Sequence, residues 1–179
     1  LTHQTRIHNL ITRVTYETRQ ALQDEETVKR EAPSRDSLSS ITLERIHNAV
    51  EPLVRGMFFV REAALKESVR GASGFASDFE KRGIRDRKGR SLRDLDLNRR
   101  FLRYPMSYLI YSEAFDAIPA PAKEYFYQRV RAVLTGTDAT GNFAHLSAED
   151  RTAILEILRD TKPEFEQTAA PALAPSTSG

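Results

Sequence analysis

The chain has 179 residues, 40% of them apolar and 29% charged, with a formal net charge of +2 and no cysteine. That length suits one domain, able to bury roughly two-thirds of its unfolded surface and so to fold without disulfides or a structural metal. The lack of cysteine excludes a disulfide framework, thiolate metal sites, a thiol nucleophile and covalent c-type haem attachment within this sequence, and leaves the redox compartment open.

No apolar run approaches the roughly 18–20 residues that span a bilayer; the longest is Met57-Phe58-Phe59-Val60. The chain opens on Leu1 with no leader-like stretch after it, which suggests a processed product or an excised piece of a longer protein.

Ile7, Leu10, Ile11, Val14, Ala21, Leu22 and Val28 recur at steps of three and four and predict a first helix from about Thr5 to Lys29. Pro33, Asp36 and the serines of residues 31–40 read as a loop. A second helix begins at Ser40 or Thr42, either of which suits the N-cap, and carries Leu43, Ile46, Val50, Leu53, Val54 and Met57. Pro52 inside that stripe predicts a kink, or two shorter helices meeting at Glu51. Residues 58–70 continue helical or irregular as far as Gly71.

Phe75, Ala76 and Phe79 make a short helix that Gly83 could stop in the left-handed conformation. Asp86-Arg87-Lys88-Gly89 has the composition of a tight turn. Leu92, Leu95 and Leu97 point inward from a segment that reads equally as helix or strand, leaving room for a short hairpin near residues 84–97. Tyr108, Leu109, Ile110 and Phe115 pack another short helix. Pro121 suits a first helical position, and a helix through Ala122, Tyr125, Phe126, Val130, Val133 and Leu134 ends at Gly136. Ser147 caps a last helix, with Ile154, Leu155, Ile157 and Leu158, which Pro163 closes. The Ala/Pro/Ser composition of the end predicts a disordered tail over residues 164–179, leaving a helical domain at 1–163. The fold class is all-α: an irregular helical bundle of about five to seven helices.

Four features could carry chemistry. Arg6-Ile7-His8-Asn9 recurs as Arg45-Ile46-His47-Asn48 on helices joined by a short loop. His8 and His47 could face one another and offer two imidazoles to a metal or haem. Equally, four residues match by chance in a chain of this length, and the flanks do not repeat. No His/carboxylate cluster has metal-ligand spacing, and His145 stands alone.

A basic stretch forms the second feature: ten Lys and Arg against four carboxylates between Glu80 and Arg103. Arg85, Arg87, Lys88, Arg90 and Arg93 would form its binding surface for an acidic partner or polyanion. The interleaved Asp86, Asp94 and Asp96 suit the other reading, internal ion pairs that fix a loop. No nucleic-acid-binding motif accompanies it, so nucleic acid is not the expected partner. The third feature, the aromatics Phe101, Tyr104, Tyr108, Tyr111, Phe115, Tyr125, Phe126 and Tyr127, reads as core rather than as a cofactor pocket. The fourth, Ser107 and Ser112, lacks an adjacent base and a nucleophile elbow. The sequence therefore leans away from an enzyme.

Three stretches together look familiar: residues 3–13 (HQTRIHNLITR), 89–97 (GRSLRDLDL) and 101–112 (FLRYPMSYLIYS). The combination resembles the C-terminal region of uncharacterised exported bacterial proteins whose longer members carry an upstream c-type haem motif, over most of residues 1–162. The resemblance implies a periplasmic or otherwise exported protein, a cytoplasmic one not being excluded by the residues themselves. It further implies a non-enzymatic helical domain beside a haem-bearing or redox partner, with a link to electron transfer. Haem would be held elsewhere, since Cys-x-x-Cys-His is missing; His8, His47, Met57 or Met106 could then supply a distal ligand.

Overall fold

The computed structural model describes residues 2–31, 37–61, 74–98 and 100–168. Among these residues seven α-helices follow in chain order: α1 (Thr2–Glu31), α2 (Ser40–Met57), α3 (Phe75–Lys81), α4 (Glu113–Asp116), α5 (Ala120–Leu134), α6 (Ala148–Thr161) and α7 (Pro163–Gln167), with a 3₁₀ turn at Tyr108–Tyr111. Among the described residues there is no strand. The place suggested for a hairpin holds one isolated antiparallel bridge, Leu95 to Leu102, instead.

The first two helices pair because their sequences give each a seam of period 3.5. On α1, Ile7, Ile11, Val14, Thr18, Ala21 and Glu25 are all buried; on α2, Thr42, Ile46, Ala49, Leu53 and Gly56 are. Steps of four and three keep such a seam facing a partner helix at a shallow crossing angle. The register is antiparallel. Gly56 meets Ile7 and Leu10, where an added Cβ would stand 2.9 Å from the Ile7 side chain. At the other end Arg45 reaches Asp24 at 2.6 Å.

Glu25 holds that end together. Its carboxylate accepts from Ser39 N–H (3.0 Å), Ser39 Oγ (2.6 Å) and Thr42 Oγ1 (2.6 Å). The hydroxyls of Ser39 and Thr42 hold its pKa below the ordinary value. The N-cap of α2 is therefore Ser39, which accepts from Thr42 N–H, and neither Ser40 nor Thr42. The helix also runs unbroken through Pro52. A proline removes one N–H from the ladder, but the buried seam on either side of it outweighs that single loss.

α2 leans on α5, which packs in turn on α6, and α6 on α7. Phe58, Phe115, Phe126, Tyr127, Phe143 and Phe165 fill this second half of the core. Ser147 caps α6 in a capping box with Asp150, and Gly136 (φ 77°) takes the left-handed turn after α5.

Two boundaries differ from the sequence reading. Pro163 does not end the domain: it opens α7, whose Phe165 is fully buried between the Tyr127 ring (5.9 Å) and the Arg131 guanidinium (4.5 Å). The division at 163/164 is thus misplaced by at least one helix; the tail expected over 169–179 lies outside the described residues. Gly83 is not left-handed. Glycine is needed there because a Cβ would collide with Ser91 Oγ.

Candidate partner-binding face

The basic stretch folds down onto α6. Asp86, 6% exposed, closes its turn by accepting from the N–H groups of Lys88 (3.0 Å) and Arg90 (2.7 Å), with Gly89 left-handed at φ 76°. Arg87 then grips Asp160 through its main-chain N–H (3.0 Å) and its guanidinium (2.9 and 2.6 Å). Lys88 and Arg90 share Glu156 at 2.8 and 2.6 Å, and Arg100 takes Asp150 with both terminal nitrogens. Arg85 bonds Asp94 at 3.1 Å and the Gly89 carbonyl at 2.6 Å.

The electrostatics follow. Hydrogen bonds from Lys88 and Arg90 hold Glu156 below the usual carboxylate range, and those from Arg87 do the same for Asp160. Burial pushes Asp150 up, but the Arg100 contacts outweigh it and the net shift is downward. Of the five cations assigned to a binding surface, Arg85, Arg87, Lys88 and Arg90 therefore neutralise the chain's own carboxylates. The interleaved aspartates account for part of this pairing. Two α6 residues far ahead in sequence, Glu156 and Asp160, supply the rest, while Asp150 takes Arg100.

Arg93 behaves differently. Its guanidinium lies over the rings of Phe79 (5.0 Å) and Tyr108 (4.3 Å), and among the described residues no carboxylate pairs with it. Around this stack the chain exposes large apolar side chains: Phe75 is 72% exposed, Ile84 49% and Phe101 46%. Phe79 joins them, with ring centroids 6.1 Å from Phe75, 6.2 Å from Phe101 and 5.2 Å from Tyr108. Arg82, Ile84, Arg93 and Tyr108 also border a shallow depression of about 200 Å³.

α3 is an odd helix on which to find such a surface. Seven residues are too few to hold a helix alone, and none of them is buried. It stays in place because Phe79 sits on Tyr108 and because the Glu80 carboxylate accepts from Leu95 N–H at 2.9 Å. The fold thus holds out an apolar, aromatic face that touches the core only through Phe79 and leaves Phe75, Ile84 and Phe101 exposed. Sequence reasoning placed Phe101 in the core and read Phe75 as an ordinary helix residue. The available signal was that Phe75 and Phe79 stand four apart with no other large apolar residue near them.

The histidines are not brought together. Arg45 faces Asp24 and Gly56 faces Ile7, so His47 stands roughly eight to fourteen residues along the pair from His8, or ~12–21 Å at 1.5 Å per residue. Imidazole nitrogens sharing one metal must lie within ~4 Å of each other. Joint ligation is excluded by the antiparallel register. His8 is exposed, while His47 stacks on the Tyr125 ring at 3.7 Å. Tyr125 donates to Glu51, which with Asp138 holds Arg129. Burial lowers the His47 pKa, opposed by Glu51. Met57 and Met106 are wholly buried, so neither presents a sulfur to haem held on another protein. Among the described residues no group of three or more His, Asp or Glu gathers as a metal site would require.

One pairing was not foreseen. His3 Nε2 lies 3.1 Å from Ser107 Oγ, so Ser107 does have a base beside it. Ser107 is 0% exposed and its oxygen accepts from Leu109 N–H as the cap of the 3₁₀ turn. No acyl group could reach it. The contact fastens the start of α1 to the 3₁₀ turn, helped by Gln4 on Tyr108 and by His3 stacked on Phe59 at 4.2 Å.

Comparison with protein-family models, with curated proteins and with solved structures finds no match to this chain.

Proposed function

We propose that this domain is a non-enzymatic docking module, and that its partner seats apolar or aromatic side chains on the Phe75–Phe79–Phe101–Ile84 face while placing a carboxylate beside Arg93 and Arg82. The observation that carries it is the exposed aromatic cluster built around a guanidinium that has no acidic partner among the described residues. Aromatic residues and arginine dominate the energetic centres of protein interfaces, because they bury much area at little entropic cost. Charge complementarity with Arg93 and Arg82 favours an acidic partner. The cations at 85–90, already paired, supply rigidity to the platform rather than affinity.

A displayed peptide library tests this. Selected sequences are expected to combine Phe, Tyr, Trp or Leu with Asp or Glu, and to lose at least tenfold in affinity on the double variant Phe75→Ser/Phe101→Ser. Failure to enrich such sequences, equal binding to the variant, or self-association of the chain through this face would overturn the reading.

That the natural partner bears haem or another redox group, and that the protein is exported, rests on the sequence resemblance. The absorption spectrum of the complex recovered from the source cell checks the first point: a Soret band near ~400–420 nm is expected, and a colourless complex would count against it.

A further inference from the structure

The ties that hold α3 in place lie at one end of it. Phe79 rests on Tyr108 with ring centroids 5.2 Å apart, and the Glu80 carboxylate accepts from Leu95 N–H at 2.9 Å. The Arg85 guanidinium adds a long bond to the Glu80 carbonyl, at 3.4 Å. Just past the helix, Gly83 packs so closely on Ser91 that a Cβ would stand 2.2 Å from its hydroxyl oxygen. From there the chain is fixed, because the turn that follows is fastened to α6 through Asp160 and Glu156.

The first half of α3 has no such hold. Among the described residues, no hydrogen bond, ion pair or ring contact joins Phe75, Ala76, Ser77 or Asp78 to anything beyond Gly74 and α3 itself. Asp78 bonds the Gly74 carbonyl and pairs with Lys81, and Phe75 stacks on Phe79. The N-cap, Gly74, offers no side chain to the free N–H groups of the first turn. A seven-residue helix does not offset the cost of its own nucleation, for which the equilibrium factor is ~10⁻³. Its folded fraction therefore hangs on Phe79 and Glu80, and elements held so weakly open far more often than the core. What α3 covers is a Tyr108 ring only 7% exposed, with the Arg93 guanidinium 4.3 Å from its centroid.

We infer that α3 is the moving jaw of the docking face. It lifts about Lys81 and Arg82, uncovering Tyr108 and one face of Arg93. It closes with an aromatic side chain of the partner gripped between Phe79 and Tyr108 and the partner's carboxylate beside Arg93. A ring placed there replaces the Phe79–Tyr108 contact that opening breaks, and the Arg93 guanidinium stacks on it as it does on Phe79. The inference rests on the docking reading above and adds the motion by which the partner is admitted.

Amide hydrogen exchange of the full chain, with and without an acidic–aromatic peptide from the library, tests it. In the free chain the amides of Asp78 to Lys81 should exchange at least ~100-fold faster than those of Val130 to Leu134 in α5. Saturating peptide should slow the α3 amides at least ~10-fold. Gly74→Asp supplies the missing cap where an added Cβ meets nothing within 4 Å, and should slow α3 exchange in the free chain about twofold. Asp78→Pro removes the bond to the Gly74 carbonyl and disrupts the helix. Because no α3 residue is buried, it should leave the melting temperature within ~3 °C while lowering peptide affinity at least ~10-fold. Three results overturn the jaw even if the peptide binds: α3 exchanging as slowly as α5, α3 exchange unchanged by the peptide, or full affinity in Asp78→Pro. Failure of every peptide to bind overturns the docking reading itself, and the jaw with it.

Discussion

Replacing Phe165 with alanine probes whether α7 is part of the domain. The side chain is fully buried against Tyr127 and under the Arg131 guanidinium. Burying the ~150–250 Å² of a phenylalanine at ~25 cal/mol per Å² gives an upper bound of roughly 4–6 kcal/mol. Phenylalanine-to-alanine changes in cores cost ~3–5 kcal/mol, and the lost guanidinium–ring contact adds ~0.5–1 kcal/mol. A loss of ~4 kcal/mol lowers the melting temperature of a domain this size by roughly 8–16 °C. Urea unfolding should show the same loss in the midpoint, with an unchanged slope. A chain ending at Lys162 should be at least as unstable. A shift under ~3 °C, within what a surface change produces, would show that Phe165 does not anchor the core.

Thr18 is 0% exposed in the α1 seam, and its hydroxyl has no hydrogen-bond partner; Thr18→Val should therefore stabilise by ~1 kcal/mol, or roughly 2–4 °C in a thermal melt. His47, whose pKa burial lowers, favours the neutral ring when folded. Its stabilisation is therefore complete above the unfolded pKa of ~6.5 and is lost as pH falls through the lower folded value, so His47→Gln should flatten the stability profile between about pH 7.5 and 5. Arg87→Ala and Asp160→Ala should show favourable coupling in a double-mutant cycle at low ionic strength, shrinking as salt is added; no coupling at low salt would mean that the turn is not fastened to α6.

How much the sequence disclosed depended on the range of the interaction. Hydrophobic steps of three and four placed α1, α2, α5 and α6; the local chemistry of Ser147 and Gly136 marked ends correctly, and Pro121 fell one residue inside the start of α5. Of the two outcomes expected at Pro52, the break into two helices does not occur, because the tertiary seam outweighs the local helix penalty. Phe165 was assigned to the tail because its burial depends on Tyr127 and Arg131, more than thirty residues earlier. The repeated Arg-Ile-His-Asn looked like a facing pair only while the helix register was unknown. The basic stretch looked like a binding surface only while Asp150, Glu156 and Asp160, its long-range partners, were hidden. Burial alone distinguishes Phe101 from core aromatics, whereas the isolated spacing of Phe75 and Phe79 was a signal in the sequence.

The choice between aromatic face and basic loop can be settled by one comparison. A selected acidic–aromatic peptide is titrated, at two salt concentrations, against the wild-type chain, Phe75→Ser/Phe101→Ser and the charge reversal Arg87→Glu/Lys88→Glu/Arg90→Glu. An aromatic docking face predicts that the first variant loses binding at both salts while the second, though less stable, keeps its affinity within about threefold, these cations lying outside the contact. Binding that survives the loss of both phenylalanines and disappears on reversing the three cations would contradict it.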